Sequence, residues 1–213
     1  MIPRVFHRIF LDEPVPERFE VYWRRLHQLH PRWKFRTWGR TEDLLPLLKN
    51  RALFESLSEG RASYGFRSDI ARYELLAAFG GVYVDTDIEP LRRFDPLLED
   101  GRPFIAWCSD KELDPSVIGS PAGHPAIRQL VDELAQVREW CLQGNPMTPP
   151  GSTGPTYVTA RWRWRDDVRR LPPVTFFPYH WSRMQDDHPP WPDRSYGIHH
   201  WSAGWKDPTS SIA

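Results

Sequence analysis

The run LLAAFGGVYVDTDIEP, Leu75 to Pro90, narrows the folds open to this chain more than any other stretch. Helix-forming residues pass through Gly80 and Gly81 directly into Val82–Val84, and the apolar run then breaks at Asp85, Asp87, Glu89 and Pro90. A short apolar run bounded by turn signals is a buried strand. Upstream, Ser68 offers a helix cap and Gly80 a helix stop. The segment therefore predicts a helix, a tight turn and a buried strand, with two aspartates where the strand runs out.

The rest of the chain supplies partners for that strand. Ile2 to Leu11 alternates Val5, His7, Ile9 and Leu11 with Phe6, Arg8 and Phe10, which is strand periodicity. Phe19, Tyr22, Trp23, Leu26 and Leu29 recur at helical spacing from Glu17 to Leu29, and Pro31 ends the pattern. Trp33 to Trp38 reads as a second strand. The order strand, helix, strand predicts an α/β fold with a parallel sheet. Two short helical pieces follow between Glu42 and Leu57. A longer helix over His124–Leu142 carries Ile127, Leu130, Val131, Leu134, Val137 and Cys141 on one side, and Pro155 sits at a helix start. Late strands are expected at Val174–Phe177 and Tyr196–His200. The proline-rich, polar stretches Gly144–Gly151 and Asp186–Asp193 read as surface or lid loops.

Composition removes several classes of function. A length of 213 residues suits one domain, 1–213. Basic and acidic residues number 28 each, so no overall field favours nucleic acid or an anionic membrane. The longest apolar run holds about ten residues, against roughly 20 for a bilayer span, which leaves peripheral membrane contact as the only kind expected. Two cysteines and no apolar leader at the amino terminus predict a reducing, cytoplasmic setting. The basic and aromatic run RWRWRDDVRR, Arg161–Arg170, reads as an ordinary helix face in a chain of zero net charge.

Chemistry concentrates at a few positions. On a strand, residues two apart point the same way, so Asp85 and Asp87 present carboxylates to one side, about 7 Å apart along the chain. They lie at the carboxyl end of a strand, where open parallel sheets bind ligands, and could bracket a divalent cation. Taken by itself, a D-x-D pair is more often a strand end than a site. Asp69 and Arg72 share a face of the preceding helix, and in isolation they read as an ion pair. His199 and His200 point opposite ways on an extended segment, so one of them can join the carboxylates in a site suited to Mn²⁺. Ser152–Thr156, with Gly154, could aim helix-start amides at an anion.

Taken together, SDIARYELLAAFGGVYVDTDIEP resembles the core of the DXD-motif glycosyltransferases of family 32, which include capsular-sugar transferases and initiating mannosyltransferases. Their pattern S-D-x-x-R-x-x-x-L-x-x-x-G-G-x-Y-x-D-x-D is matched at every fixed position. IPRVFHRIF, GSPAGHP and IHHWSAGW resemble further motifs of the family in the same order, with Phe6 and Phe10 where relatives have isoleucine and tryptophan.

The resemblance implies a GT-A type fold, a Rossmann-like, mostly parallel central sheet flanked by helices. It also implies retaining, metal-dependent transfer of a hexose from a UDP- or GDP-sugar to an acceptor hydroxyl. The acceptor would be a glycan, a lipid-linked sugar or a small molecule, in glycan or polysaccharide synthesis. By position, Asp87 would hold Mn²⁺ or Mg²⁺ with Asp85 and His199, and His200 is the reserve ligand. Asp69, Arg72 and Asp85 would contact donor sugar and phosphate and take part in catalysis. His7 and Phe10 would pack near the nucleotide base, and Trp205 beside the diphosphate. Two rivals stay open on sequence: a sugar-binding module without activity, and a phosphatase of the haloacid-dehalogenase type, although Glu89 stands where that family wants threonine or valine.

Overall fold

A computed structural model describes residues 1–58, 63–145, 147–183 and 191–202. In chain order the main elements are β1 (Val5–Ile9), α1 (Glu17–Leu29), β2 (Lys34–Trp38), α2 (Thr41–Leu44), α3 (Arg51–Ser56), α4 (Ser63–Phe79), β3 (Gly81–Val84) and β4 (Ile88–Pro90). They continue with β5 (Phe104–Trp107), β6 (Leu113–Ser120), α5 (Pro125–Leu142), α6 (Pro149–Ser152), α7 (Pro155–Trp162), β7 (Arg169–Leu171) and β8 (Gly197–His199). Six strands form one sheet in the order β2-β1-β3-β6-β5-β7, and β4 pairs with β8 in a second, two-stranded sheet. In the main sheet β6 alone runs against its neighbours, so the sheet is mixed but mostly parallel.

Alternation along the strands divides the core into two layers. Tyr83, Ile105 and Ile118 face α4, α5 and α7, where they meet Ile70, Tyr73, Leu130, Val158 and Trp162. Val82, Val84, Phe104 and Val117 face the other way, onto Phe6, Leu26, Trp33, Phe94 and Phe176. Burial on both faces is why β3 shows no polar alternation. Phe6 belongs to this second layer, stacked on Trp33 at 4.4 Å and edge-on to Phe94 at 5.5 Å.

The junction between α4 and β3 depends on its two glycines. Gly80 and Gly81 both have positive φ, 63° and 105°, and a Cβ on Gly81 would lie 2.6 Å from the Val5 carbonyl oxygen. An L side chain is strained in that conformation and here would also collide with β1. The pair turns the chain within two residues and delivers β3 beside β1.

Several expectations change. Helix α4 starts at Ser63, so Ser68 lies inside it and does not cap it. Val174–Phe177 is not a strand: Pro173–Thr175 forms a 3-10 turn after Pro172, because two prolines offer no amide to a ladder. Arg161–Arg170 is not a helix face either. Helix α7 ends at Trp162, and the turn beyond it is closed by Arg165 on Asp167 at 2.7 Å and by the Arg170 guanidinium on the carbonyls of Arg165 and Val168. The loop at Gly144–Gly151 contains most of α6, and residues 186–190 of the second loop lie outside the described residues. Among the described residues, no helix is long and apolar enough to cross a membrane.

Candidate active site

The site forms where β3 ends. The strand stops at Val84, and Asp85–Asp87 is a turn rather than more strand, with the Ile88 amide bonded to the Asp85 carbonyl at 3.3 Å. The two carboxylates therefore do not converge by strand alternation. The turn brings them round, and β8 delivers His199 against them through its pairing with β4, in which Ile88 lies opposite His199. One ligand atom from each of Asp85, Asp87 and His199 falls within a group whose members are all within 4.8 Å of one another.

Each member of that group is held. Tyr83 donates its hydroxyl to Asp85 Oδ1 at 2.5 Å, and Arg72 Nη2 reaches the same oxygen at 3.1 Å. Asp87 receives the Ser202 amide on Oδ2 at 2.8 Å and His199 Nε2 on Oδ1 at 3.3 Å. Arg72 also spans back to Asp69, 3.2 Å away, whose other oxygen accepts the Thr153 hydroxyl at 2.7 Å. The result is a chain of charges running Asp69, Arg72, Asp85, and then on to Asp87 and His199. A quarter (25%) of the Asp85 side chain is exposed, whereas Asp69 and Arg72 are buried behind it.

Burial and pairing split the three aspartates. Burial pushes the Asp69 carboxyl up to about 7, against the pull of Arg72 and Thr153. Burial also raises Asp85, opposed by Arg72 and reinforced by repulsion from Asp87. Asp87 moves the other way: although burial resists its charge, His199 and the Ser202 amide hold it down at about 2. Burial resists charge on His199 as well, yet Asp87 lifts it to about 9. Without a cation, the proton on His199 supplies the local positive charge.

Two carboxylates and one imidazole form an oxygen and nitrogen set that fits Mn²⁺ or Mg²⁺, with the better match to Mn²⁺. Two further observations agree with a resident cation. Among the described residues the buried His199 Nδ1 atom has no hydrogen bond, and Asp87 and His199 are packed too deeply for an ordinary surface ion pair. A cation bound there would displace the His199 proton, as imidazole ligands must be neutral.

Other predicted positions fare differently. His200 faces away from the cluster: its ring bonds Glu89 at 2.8 Å and stacks on Tyr22, so it is not a ligand. His7 is fully buried, with Nε2 on the Gly80 carbonyl and Nδ1 on the Trp38 indole N–H, so both nitrogens are engaged inside the fold. Phe10 is half-buried just beyond β1, at the same end of the sheet as the Asp85 turn. The Gly154 amide bonds the Pro149 carbonyl at 2.8 Å and so is not free for an anion; the residue matters for a different reason, since a Cβ there would lie 3.2 Å from Asp69 Oδ2. Trp205 lies outside the described residues. Tyr83, Thr153 and the Ser202 amide were not predicted. Tyr83 was open to detection as the residue two before Asp85 on β3, whereas Thr153 reaches Asp69 across 84 residues and leaves no local signal.

The mostly parallel α/β sheet with this cluster at the end of its third strand has the GT-A fold found in glycosyltransferases. Similar solved folds include the PaToxG glycosyltransferase, with a TM-score of 0.56 and 15% identity over 75% of this chain and 68% of that one. The galactosyltransferase LgtC, in complex with donor and acceptor sugar analogs, has a TM-score of 0.53 at 13% identity over 94% and 88%. Residues 16–102 match the family described as "Glycosyltransferase sugar-binding region containing DXD motif". A curated relative, the mannosyl phosphorylinositol ceramide synthase CSH1 of Saccharomyces cerevisiae, is 28% identical over 83% of this chain and 49% of its own length. The chain spans about half the length of the mannosyltransferase relatives it matches. The curated relatives and solved folds named here are glycosyltransferases, which favours the transferase over the phosphatase.

Proposed function

We propose that the chain transfers a hexosyl group from a UDP- or GDP-sugar to an acceptor hydroxyl, with retention at the anomeric carbon and dependence on Mn²⁺ or Mg²⁺. The observation that carries this reading is the Asp85–Asp87–His199 cluster set directly against the Asp69–Arg72–Asp85 chain. Asp87, Asp85 and His199 would hold the cation, whose chemistry is to offset the charge that develops on the departing diphosphate. Arg72 adds a fixed guanidinium, kept charged by Asp85, Tyr83 and Asp69 despite its burial.

Asp69 and Asp85 orient sugar hydroxyls and stabilise positive charge on the anomeric carbon. In a front-face displacement, the bond from that carbon to the phosphate oxygen breaks as the bond to the acceptor oxygen forms. The acceptor's proton passes to the departing phosphate, so no separate base is required. A mannosyl donor is the first to try, because the curated relatives carry mannosyltransferase names. The acceptor is a glycan, a lipid-linked sugar or a small molecule.

Release of nucleoside diphosphate from a panel of UDP- and GDP-sugars, with Mn²⁺, with Mg²⁺ and with EDTA, tests the reading. The expected result is cation-dependent release from one nucleotide class, abolished by Asp87→Asn. Full, cation-dependent turnover by that variant would overturn the assignment.

A further inference from the structure

Two side chains beside the cluster have no part in the mechanism above. Strand β6 runs antiparallel to β3, with Val84 opposite Val117, and the Asp85 amide bonds the Ser116 carbonyl at 2.8 Å. Cross-strand neighbours share a face. Ser116 therefore lies on the face of Tyr83 and Asp85, as Ile118 does two residues along, in the core layer that holds Tyr83. Among the described residues its buried hydroxyl has no hydrogen-bond partner, and neither has Arg72 Nε on the guanidinium that grips Asp85.

The strand is irregular at this point. Its register against β5 jumps from Ile105↔Ile118 to Ala106↔Asp114, which leaves Pro115, Ser116 and Val117 without partners on β5. Irregularities of this kind re-aim side chains next to active sites. Asp114 is buried, with Oδ1 on the Ser116 amide at 2.8 Å. Its charge is felt on both sides of the site, raising Asp69 and raising His199. An unpartnered buried hydroxyl beside a buried carboxylate is costly unless something binds it. What suits them is a ligand hydroxyl, which can donate to the carboxylate and exchange hydrogen bonds with the serine.

We propose that Asp114 and Ser116 bind hydroxyls of the donor's hexose and make the site selective for a neutral sugar. This rests on the transferase reading above. Asp69 and Asp85 both pair with Arg72, and Asp114 adds a third carboxylate whose charge reaches Asp69 and His199, so a hexose with free hydroxyls is welcome there and a uronate is repelled.

The test compares Ser116→Ala and Asp114→Asn with wild type. It measures calorimetric binding of the donor found in the panel and of its nucleoside diphosphate, both with Mn²⁺, alongside turnover. Ser116→Ala removes an unbonded hydroxyl and Asp114→Asn keeps an acceptor for the Ser116 amide, so thermal melts should place both variants at wild-type stability or close to it. Expected is a loss of about tenfold in donor affinity for each variant, with diphosphate affinity changed less than twofold. Asp114→Asn should also narrow discrimination against the matching nucleotide uronate by about tenfold. Equal losses for donor and diphosphate, or no loss in either, would overturn the proposal. A wild type that binds the donor without turning it over would sink the proposed function while still reading this subsite. A wild type that binds no nucleotide sugar in the panel would overturn both.

Discussion

Replacing Asp69 with asparagine should make the cation-free protein more stable at neutral pH while removing its activity. Burial raises this carboxyl from 3.8 to about 7, a rise that already includes the opposing pull of Arg72 and Thr153. The folded state thus holds the Asp69 proton more tightly than the unfolded chain does. Stability from this group is fully present below about pH 4 and is lost as pH climbs through 7. About three pH units at 1.36 kcal/mol each set an upper bound of roughly 4 kcal/mol, which local relaxation reduces to about 2–3 kcal/mol. Asparagine does not titrate, so Asp69→Asn should match wild type near pH 4 and gain on it steadily to pH 8. At about 2–4 °C per kcal/mol for a chain of this size, the gap in Tm at pH 8 is about 4–12 °C. Melts in EDTA at pH 4.5, 6 and 8 read it directly, and donor turnover at pH 7.5 should fall at least about a hundredfold. A Tm difference independent of pH, or a variant less stable than wild type at pH 8, would show that Asp69 is not held as a strained buried acid. The outcome expected is the familiar trade of stability for a working site.

The other predictions concern the neighbours. Thr153→Val removes the hydroxyl that steadies the Asp69 charge, so it should cost about 1–3 kcal/mol and cost more at pH 8 than at pH 5, as denaturant titrations at the two pH values would reveal. Gly154→Ala puts a Cβ 2.9 Å from the Pro149 carbonyl and 3.2 Å from Asp69, and should lower stability by about 1–3 kcal/mol and turnover by about tenfold or more; wild-type turnover would mean that Asp69 can move freely. His199→Ala should weaken Mn²⁺ binding by at least about tenfold while His200→Ala leaves it within about twofold, and the reverse order in a calorimetric titration would exchange the two assignments. Gly81→Ala should cost more than about 2 kcal/mol of folding stability, since both its positive φ and the Val5 carbonyl oppose a side chain.

Sequence disclosed the parts of the fold that obey local rules. Helix α1 runs from Glu17 to Leu29 as its spacing demands, and β3 is short, apolar and buried. Long-range pairing was less accessible. Strands β5 and β6 carry no clean alternation, because burial on both faces and the irregularity at Asp114–Ser116 erase it. At the site, Asp85, Asp87, Asp69 and Arg72 stood out because they lie within 19 residues of one another along a helix, a turn and a strand. What local reading missed was how they are held. Thr153 meets Asp69 from a distant segment, and the Asp85–Asp87 turn converges by a route that strand geometry does not describe. For His7, which the resemblance placed near the nucleotide base, the structure shows an imidazole that satisfies the Gly80 carbonyl where the glycine pair ends the helix.

The placement of His199 on β8 separates two moments in the making of this molecule. By Leu171 every strand of the six-stranded sheet has been synthesised, yet the imidazole of the proposed cation site and the amide that steadies Asp87 arrive only at residues 199 and 202. A chain emerging from the ribosome can thus assemble its main sheet before it can complete that proposed site. A protease cutting between Leu171 and Gly197 would likewise separate fold from chemistry, leaving the strands intact and the two carboxylates without their imidazole.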